Sequence, residues 1–142
     1  MKRLVFLLFI VTSFVTGTAT GGDLKPFVSD GCSSFPDGTL KQKTLWLQCC
    51  IEHDKSYWLG GTYEQKLQAD DELKACVAKV GGATLAQVMH RGVRVGGAPW
   101  LPTTFRWGYG WPYPRGYKKL TKEEIIEAER LKTEETAVDG AR

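Results

Sequence analysis

The chain has 142 residues, 42% hydrophobic and 25% charged, which is enough for one small globular domain. Its 19 basic residues against 16 acidic ones give a formal charge of +3. Two of those basic residues stand in the N-terminal leader, so the near-neutral remainder offers no electrostatic case for nucleic acid and none for strong attraction to anionic lipid.

In the leader, Lys2 and Arg3 precede an apolar run from Leu4 to Val15 and a small, polar stretch from Gly17 to Gly22. This order reads as an export signal cleaved near Ala19; the run is too short for an ordinary membrane span. The expectation is a secreted or periplasmic protein with no transmembrane segment in the mature chain. All four cysteines, Cys32, Cys49, Cys50 and Cys76, lie beyond the leader. An even number in a small exported domain favours two disulfides over zinc, whose usual structural spacing CC-x-x-H lacks.

Residues 20 to 38, rich in Gly, Ser, Asp and Pro, read as loop. A first helix is expected from about Leu40 to Trp58, ending at Gly60-Gly61, with Leu45, Cys49, His53 and Tyr57 on one face. Thr62 and Gln65 form a capping box that opens a second helix to about Val80. A third, shorter helix spans Thr84 to Arg91. From Gly92 to Tyr117 the chain is Gly, Pro and aromatic and supports neither helix nor strand well, although Thr103 to Tyr109 allows a short strand, and most rings are expected to pack over the helices as core. Thr121 and Glu124 form another capping box, which opens a solvated, charged helix to about Lys132, before ten residues read as disordered. The fold class is mainly α, with an irregular C-terminal region.

Two of these segments carry the chemistry. Cys49-Cys50-Ile51-Glu52-His53-Asp54-Lys55-Ser56-Tyr57 places a histidine, a carboxylate and two thiols within about two helical turns, and Asp70 to Cys76 adds another carboxylate and thiol. If the two helices pair antiparallel, Cys49 meets Cys76 and His53 meets Asp70 in one register. Adjacent Cys49 and Cys50 diverge by about 100° on a helix and need different partners, so Cys32–Cys50 is then the second bridge.

The first segment resembles the active-site helix of the secreted calcium-dependent phospholipase A2 superfamily, CCxxHDxCY, or ACxxHDxGY in bacterial and fungal members. The family's partner helix carries an aspartate six residues before a cysteine, as Asp70 and Cys76 stand here. Upstream, Asp30-Gly31-Cys32-Ser33-Ser34-Phe35-Pro36-Asp37-Gly38 is similar to the DGCSSxPD metal loop of the bacterial and fungal branch. The resemblance covers about Val28 to Val80. It implies a disulfide-linked antiparallel helix pair with the same cysteine pairing, and a domain over residues 20–120 followed by the charged helix and tail at 121–142. It also implies Ca²⁺ as cofactor, the Gly31 carbonyl and Asp30 as ligands with further loop carbonyls near Ser33 and Phe35, and Tyr57 orienting Asp70. The implied reaction releases the sn-2 fatty acid of a glycerophospholipid at a membrane interface.

The residues themselves suit that chemistry. A neutral imidazole at His53 can take a proton from water, and an ionised Asp70 would hold its other nitrogen; Asp71 points about 100° away and is the fallback. Asp54 faces away from His53, toward the 30–38 loop, where a carboxylate among loop oxygens suits a hard cation. His90 is expected to be structural or exposed, and Asp37 to form a turn. Ser56 stands where many members have a third cysteine, the loop lacks the animal-type Gly-x-Gly-Gly run, and little mature chain precedes the metal loop. The alternative function is a non-catalytic domain gripping lipid or protein through its aromatic stretch.

Overall fold

The computed structural model describes residues 23–139, with side chains described as far as 134. The expected export signal at 1–19 and the last three residues lie outside that range. Four helices, and no strand among the described residues, make up the fold: α1 Leu47–Leu59, α2 Tyr63–Gly81, α3 Ala83–Gly96 and α4 Lys122–Asp139. None of them is long and apolar enough to cross a membrane.

The first helix starts at Leu47 rather than near Leu40. Turn-forming residues upstream engage the backbone instead. The Thr39 hydroxyl accepts the Gln42 N–H, Trp46 N–H donates to the Asp37 carbonyl, and the Trp46 indole donates to the Pro36 carbonyl. Leu40 is left 98% exposed, and Leu45 packs on the core from outside the helix. For α2 the expected capping box is present, with Thr62 and Gln65 each bonding the other's backbone N–H. α3 runs further than expected, from Ala83 to Gly96, because no proline or strong turn sequence stops it before Gly97.

α1 and α2 are joined by the Cys49–Cys76 disulfide, with Cα atoms 5.7 Å apart, and Cys32–Cys50 ties the upstream loop to α1 at 5.0 Å. Residue order along α1 opposes that along α2: Cys49 meets Cys76, His53 meets Asp70, and the Tyr57 ring meets Lys66. α3 returns along α2, with Arg94 against Asp71 and the Leu67 carbonyl. Trp46, Cys49, Cys50, Leu73, Val77, Ala86 and Met89 form the core among these three helices.

The Gly- and aromatic-rich segment forms turns at Thr103 to Tyr109, where the sequence allows a short strand without supporting one. Its geometry answers a specific need. The last carbonyls of a helix have no partner within it. Here Gly108 N–H donates to the Tyr57 carbonyl, Gly110 N–H to that of Trp58, the Trp111 indole to that of Leu59, and the Trp107 indole to that of Gly61. Gly60 and Gly108 approach so closely that a Cβ on Gly60 would lie 2.8 Å from the Gly108 Cα, and Gly60 has φ +69°. Trp107 and Trp111 are buried by this arrangement, as expected of core rings, while Trp100 stays 63% exposed.

The C-terminal helix departs most from expectation. It continues through Asp139 and is docked rather than solvated: Ala128 and Leu131 pack with Leu24, Trp58 and Trp111. Arg115 stacks on Trp111 at 4.0 Å and grips Glu124 with both terminal nitrogens, at 3.2 and 3.0 Å. Burial alone would raise the Glu124 carboxyl, but bonds from Arg115, the Thr121 backbone and Lys118 outweigh it and hold the group at about 2. Because the folded value is depressed, this stabilisation is complete above the ordinary value near 4.5 and is lost as pH falls from there through about 2. Glu124→Gln should cost about 1–2 kcal/mol near neutral pH and flatten the acid limb of a stability profile. Denaturant melts at several pH values test this; identical acid limbs in the two proteins would refute it.

Candidate active site

The site is built where α1, α2 and α3 meet the 29–37 loop. His53 lies on the buried face of α1 and Asp70 on the facing side of α2, and His53 Nε2 is 3.0 Å from Asp70 Oδ1. Asp70 is fully buried and takes partners from three helices. The Tyr57 hydroxyl donates to Oδ1 at 2.7 Å, Lys66 Nζ donates to Oδ2 at 2.9 Å, and Arg94 Nε lies 3.2 Å from Oδ2. Burial pushes the Asp70 carboxyl up, yet the bonds from His53, Lys66 and Tyr57 win and keep it below the usual carboxylate range. The Tyr57 phenol is raised well above its ordinary value, first by burial and then by the Asp70 charge, so it stays a donor.

The His53 and Asp70 expected from the sequence are thus together, and Tyr57 is on the same carboxylate. Asp71, the fallback, instead bonds His90 at 2.7 Å and Arg94 at 2.6 Å, a partly exposed clasp between α2 and α3. His90 is therefore structural, as expected. Lys66 and Arg94 were not anticipated. Lys66 had a readable signal, because a residue four before Asp70 shares its helix face; Arg94 comes from a different helix and had none.

His53 also lines a cavity of about 420 Å³ whose wall is chiefly apolar. Phe35, Leu73, Met89, Val93 and Phe105 contribute to it. A Cβ added at Gly92 or Gly96 would meet nothing within 4 Å, so these two lining glycines leave the space open. Among the described residues, His53 Nδ1 has no hydrogen-bond partner.

Asp54 opens on the loop side of the same cavity. Ser29 Oγ donates to its Oδ2 at 2.6 Å, and Gly31 N–H donates back to Ser29 Oγ. Asp30 is exposed and accepts from the Ser33 hydroxyl at 2.9 Å. Asp37 Oδ1 caps Cys32 N–H at 2.8 Å beneath Gly31, whose φ is +75°, and is the expected turn former. Burial pushes the Asp54 carboxyl up to about 6; the Ser29 bond opposes this and the Asp30 charge adds to it. The Asp30 and Asp54 carboxylates therefore repel each other across the loop, a repulsion that a hard cation near them would relieve. No cluster of three or more His, Cys, Asp or Glu side chains suited to a metal occurs among the described residues.

Comparison with family models, with curated proteins and with solved structures finds no match in any of the three.

Gly97 leaves the room in which Tyr57 reaches Asp70. A Cβ there would overlap the Tyr57 hydroxyl and ring. Gly97→Ala should therefore lower stability by roughly 1–3 kcal/mol and displace Tyr57 from Asp70. Urea unfolding and the tyrosine near-ultraviolet signal measure both effects, and unchanged values for each would show that Tyr57 has room to spare.

Proposed function

We propose that this chain is an exported, calcium-dependent hydrolase of the phospholipase A2 kind, releasing the sn-2 fatty acid of glycerophospholipids. The observation that carries the reading is the buried His53–Asp70 contact at the edge of an apolar cavity, with His53 Nδ1 left without a partner among the described residues. The opposed order of α1 and α2, their disulfide, and the loop motif at Asp30 to Gly38 support it further.

His53 Nδ1 takes a proton from water as the water oxygen bonds to the sn-2 carbonyl carbon. Asp70 accepts the His53 Nε2 proton bond and favours the imidazolium that forms. The tetrahedral intermediate then collapses, the carbon–oxygen bond to glycerol breaks, and the proton on Nδ1 passes to the leaving oxygen. Ca²⁺, held by Asp30, Asp54 and the Gly31 carbonyl, would supply positive charge for the substrate phosphate and the developing oxyanion. The apolar wall, opened by Gly92 and Gly96, takes the acyl chain, each buried methylene contributing about 0.8 kcal/mol. Two disulfides in the chain suit the oxidising compartments, extracellular or periplasmic, that export would reach.

A second reading, a lipid- or protein-binding domain without catalysis, draws on the exposure of Trp100 and Tyr113, rings suited to headgroup depth.

Fatty-acid release from mixed phospholipid vesicles separates the two readings. Wild type should release the sn-2 chain with millimolar Ca²⁺ and stop with chelator, and His53→Gln should lose about 10²–10⁴-fold in rate while staying folded. Calorimetry should show Ca²⁺ binding weakened in Asp54→Asn. Undiminished hydrolysis in His53→Gln would remove that residue as the base, and lipid binding without release would leave the second reading.

A further inference from the structure

Lys66 belongs to none of the motifs above, yet among the described basic residues it is the most enclosed, 1% exposed. Its ammonium stands one helical turn before Asp70 on α2. It bonds Asp70 Oδ2 at 2.9 Å and the Val93 carbonyl of α3 at 3.2 Å, and it lies 5.4 Å from the centre of the Tyr57 ring. Arg94 Nε approaches the same Oδ2 at 3.2 Å. Among the described residues the two oxygens of Asp70 are therefore divided: Oδ2 meets the cations Lys66 and Arg94, and Oδ1 meets His53 and Tyr57.

That division has a mechanical meaning. The terminal torsion of an aspartate is broad, so the partner of one oxygen decides where the other points. A methionine or leucine at position 66 would fill the same space without the desolvation of an ammonium, so packing alone does not account for a lysine there. Nor does the charge by itself aid catalysis, because a second cation beside Asp70 opposes a developing imidazolium. What remains is geometry.

We propose that Lys66 is a positioning residue for hydrolysis: it anchors Asp70 Oδ2 so that Oδ1 meets His53 Nε2, fixing the tautomer that leaves Nδ1 able to accept a proton from water. This rests on the hydrolase reading of His53. Arg94 supports the anchor from α3 but is shared with a second carboxylate, Asp71, whereas Lys66, whose other bond is to the neutral Val93 carbonyl, meets no carboxylate but Asp70 among the described residues.

The test compares wild type, Lys66→Met and Lys66→Gln in the full-length protein, using two readouts. The first is kcat and KM on a short-chain, monomeric phosphatidylcholine with Ca²⁺. The second is the His53 imidazole nitrogen spectrum, which reports the tautomer without any turnover. Lys66→Met should lose tenfold or more in kcat with KM changed by less than about twofold, and should convert a single Nε2–H tautomer into a mixture. Lys66→Gln, whose amide can still donate at this spacing, should recover part of both. A folded Lys66→Met with kcat within twofold of wild type and an unchanged His53 spectrum overturns the proposal. If Lys66→Met does not fold, Lys66→Gln carries the test: a kcat loss of about threefold with a mixed tautomer supports the proposal, and wild-type values for both overturn it. If wild type itself releases no fatty acid, the hydrolase reading fails, and the proposed anchoring of Asp70 stands or falls on the spectrum alone.

Discussion

The structure turns on the burial of Asp70. A fully enclosed carboxylate is tolerable only when every oxygen lone pair is engaged, and here His53, Tyr57, Lys66 and Arg94 supply the engagement from three different helices. Those four contacts tie α1, α2 and α3 to one carboxylate beside the apolar core between them. Removing any one partner leaves a charge or a strong acceptor in a dry site, whereas losing one core methylene costs far less. The helix packing and the candidate chemistry therefore share one anchor.

The C-terminal half of the chain serves that anchor indirectly. Tyr57 can reach Asp70 only if the end of α1 is held still, and the end of any helix is where backbone bonds run out. The turn at Trp107 to Trp111 supplies them, with two backbone amides and two indoles on four consecutive or near-consecutive carbonyls. The Gly and Trp content that gave this segment no helical or strand periodicity has a physical cause. Glycines allow the close approach at Gly60 and Gly108, and tryptophans carry a donor on a large apolar body. α4 then covers the outer faces of Trp58 and Trp111.

Much of this was legible in the sequence, and the remainder was hidden for identifiable reasons. Local signals worked where one residue type answers one geometric need: both capping boxes and the glycine stop after α1 follow from short-range rules, and the cysteine pairing follows from the register of two antiparallel helices. The pairing of His53 with Asp70 was readable because a shared register links it to the Cys49–Cys76 bridge. The stretch from Leu40 to Trp46 misled because its residues permit a helix, while Thr39 and the Asp37 carbonyl compete for the same backbone groups. α4 misled in the opposite way. Its charges suggest a solvated helix, and the small face carried by Ala128 and Leu131 is visible only once Trp111 is in place. Arg94 and Gly97 act across long sequence separations and have no local signature.

A buried ion pair is a poor way to stabilise a fold, since apolar side chains of the same volume often do as well or better. Its advantage lies in discrimination. Apolar packing would tolerate small rotations of α2 about its axis, whereas a carboxylate with cations on one oxygen and a histidine on the other tolerates almost none. The Cys49–Cys76 bridge, lying between α1 and α2 about a turn and a half from His53 and Asp70, limits sliding along the axis in the same way. Together they remove the two motions that would part the dyad. Both constraints act on the same two side chains, one through the helix axes and one through the carboxylate itself, so the geometry of the His53–Asp70 pair is set from two directions at once.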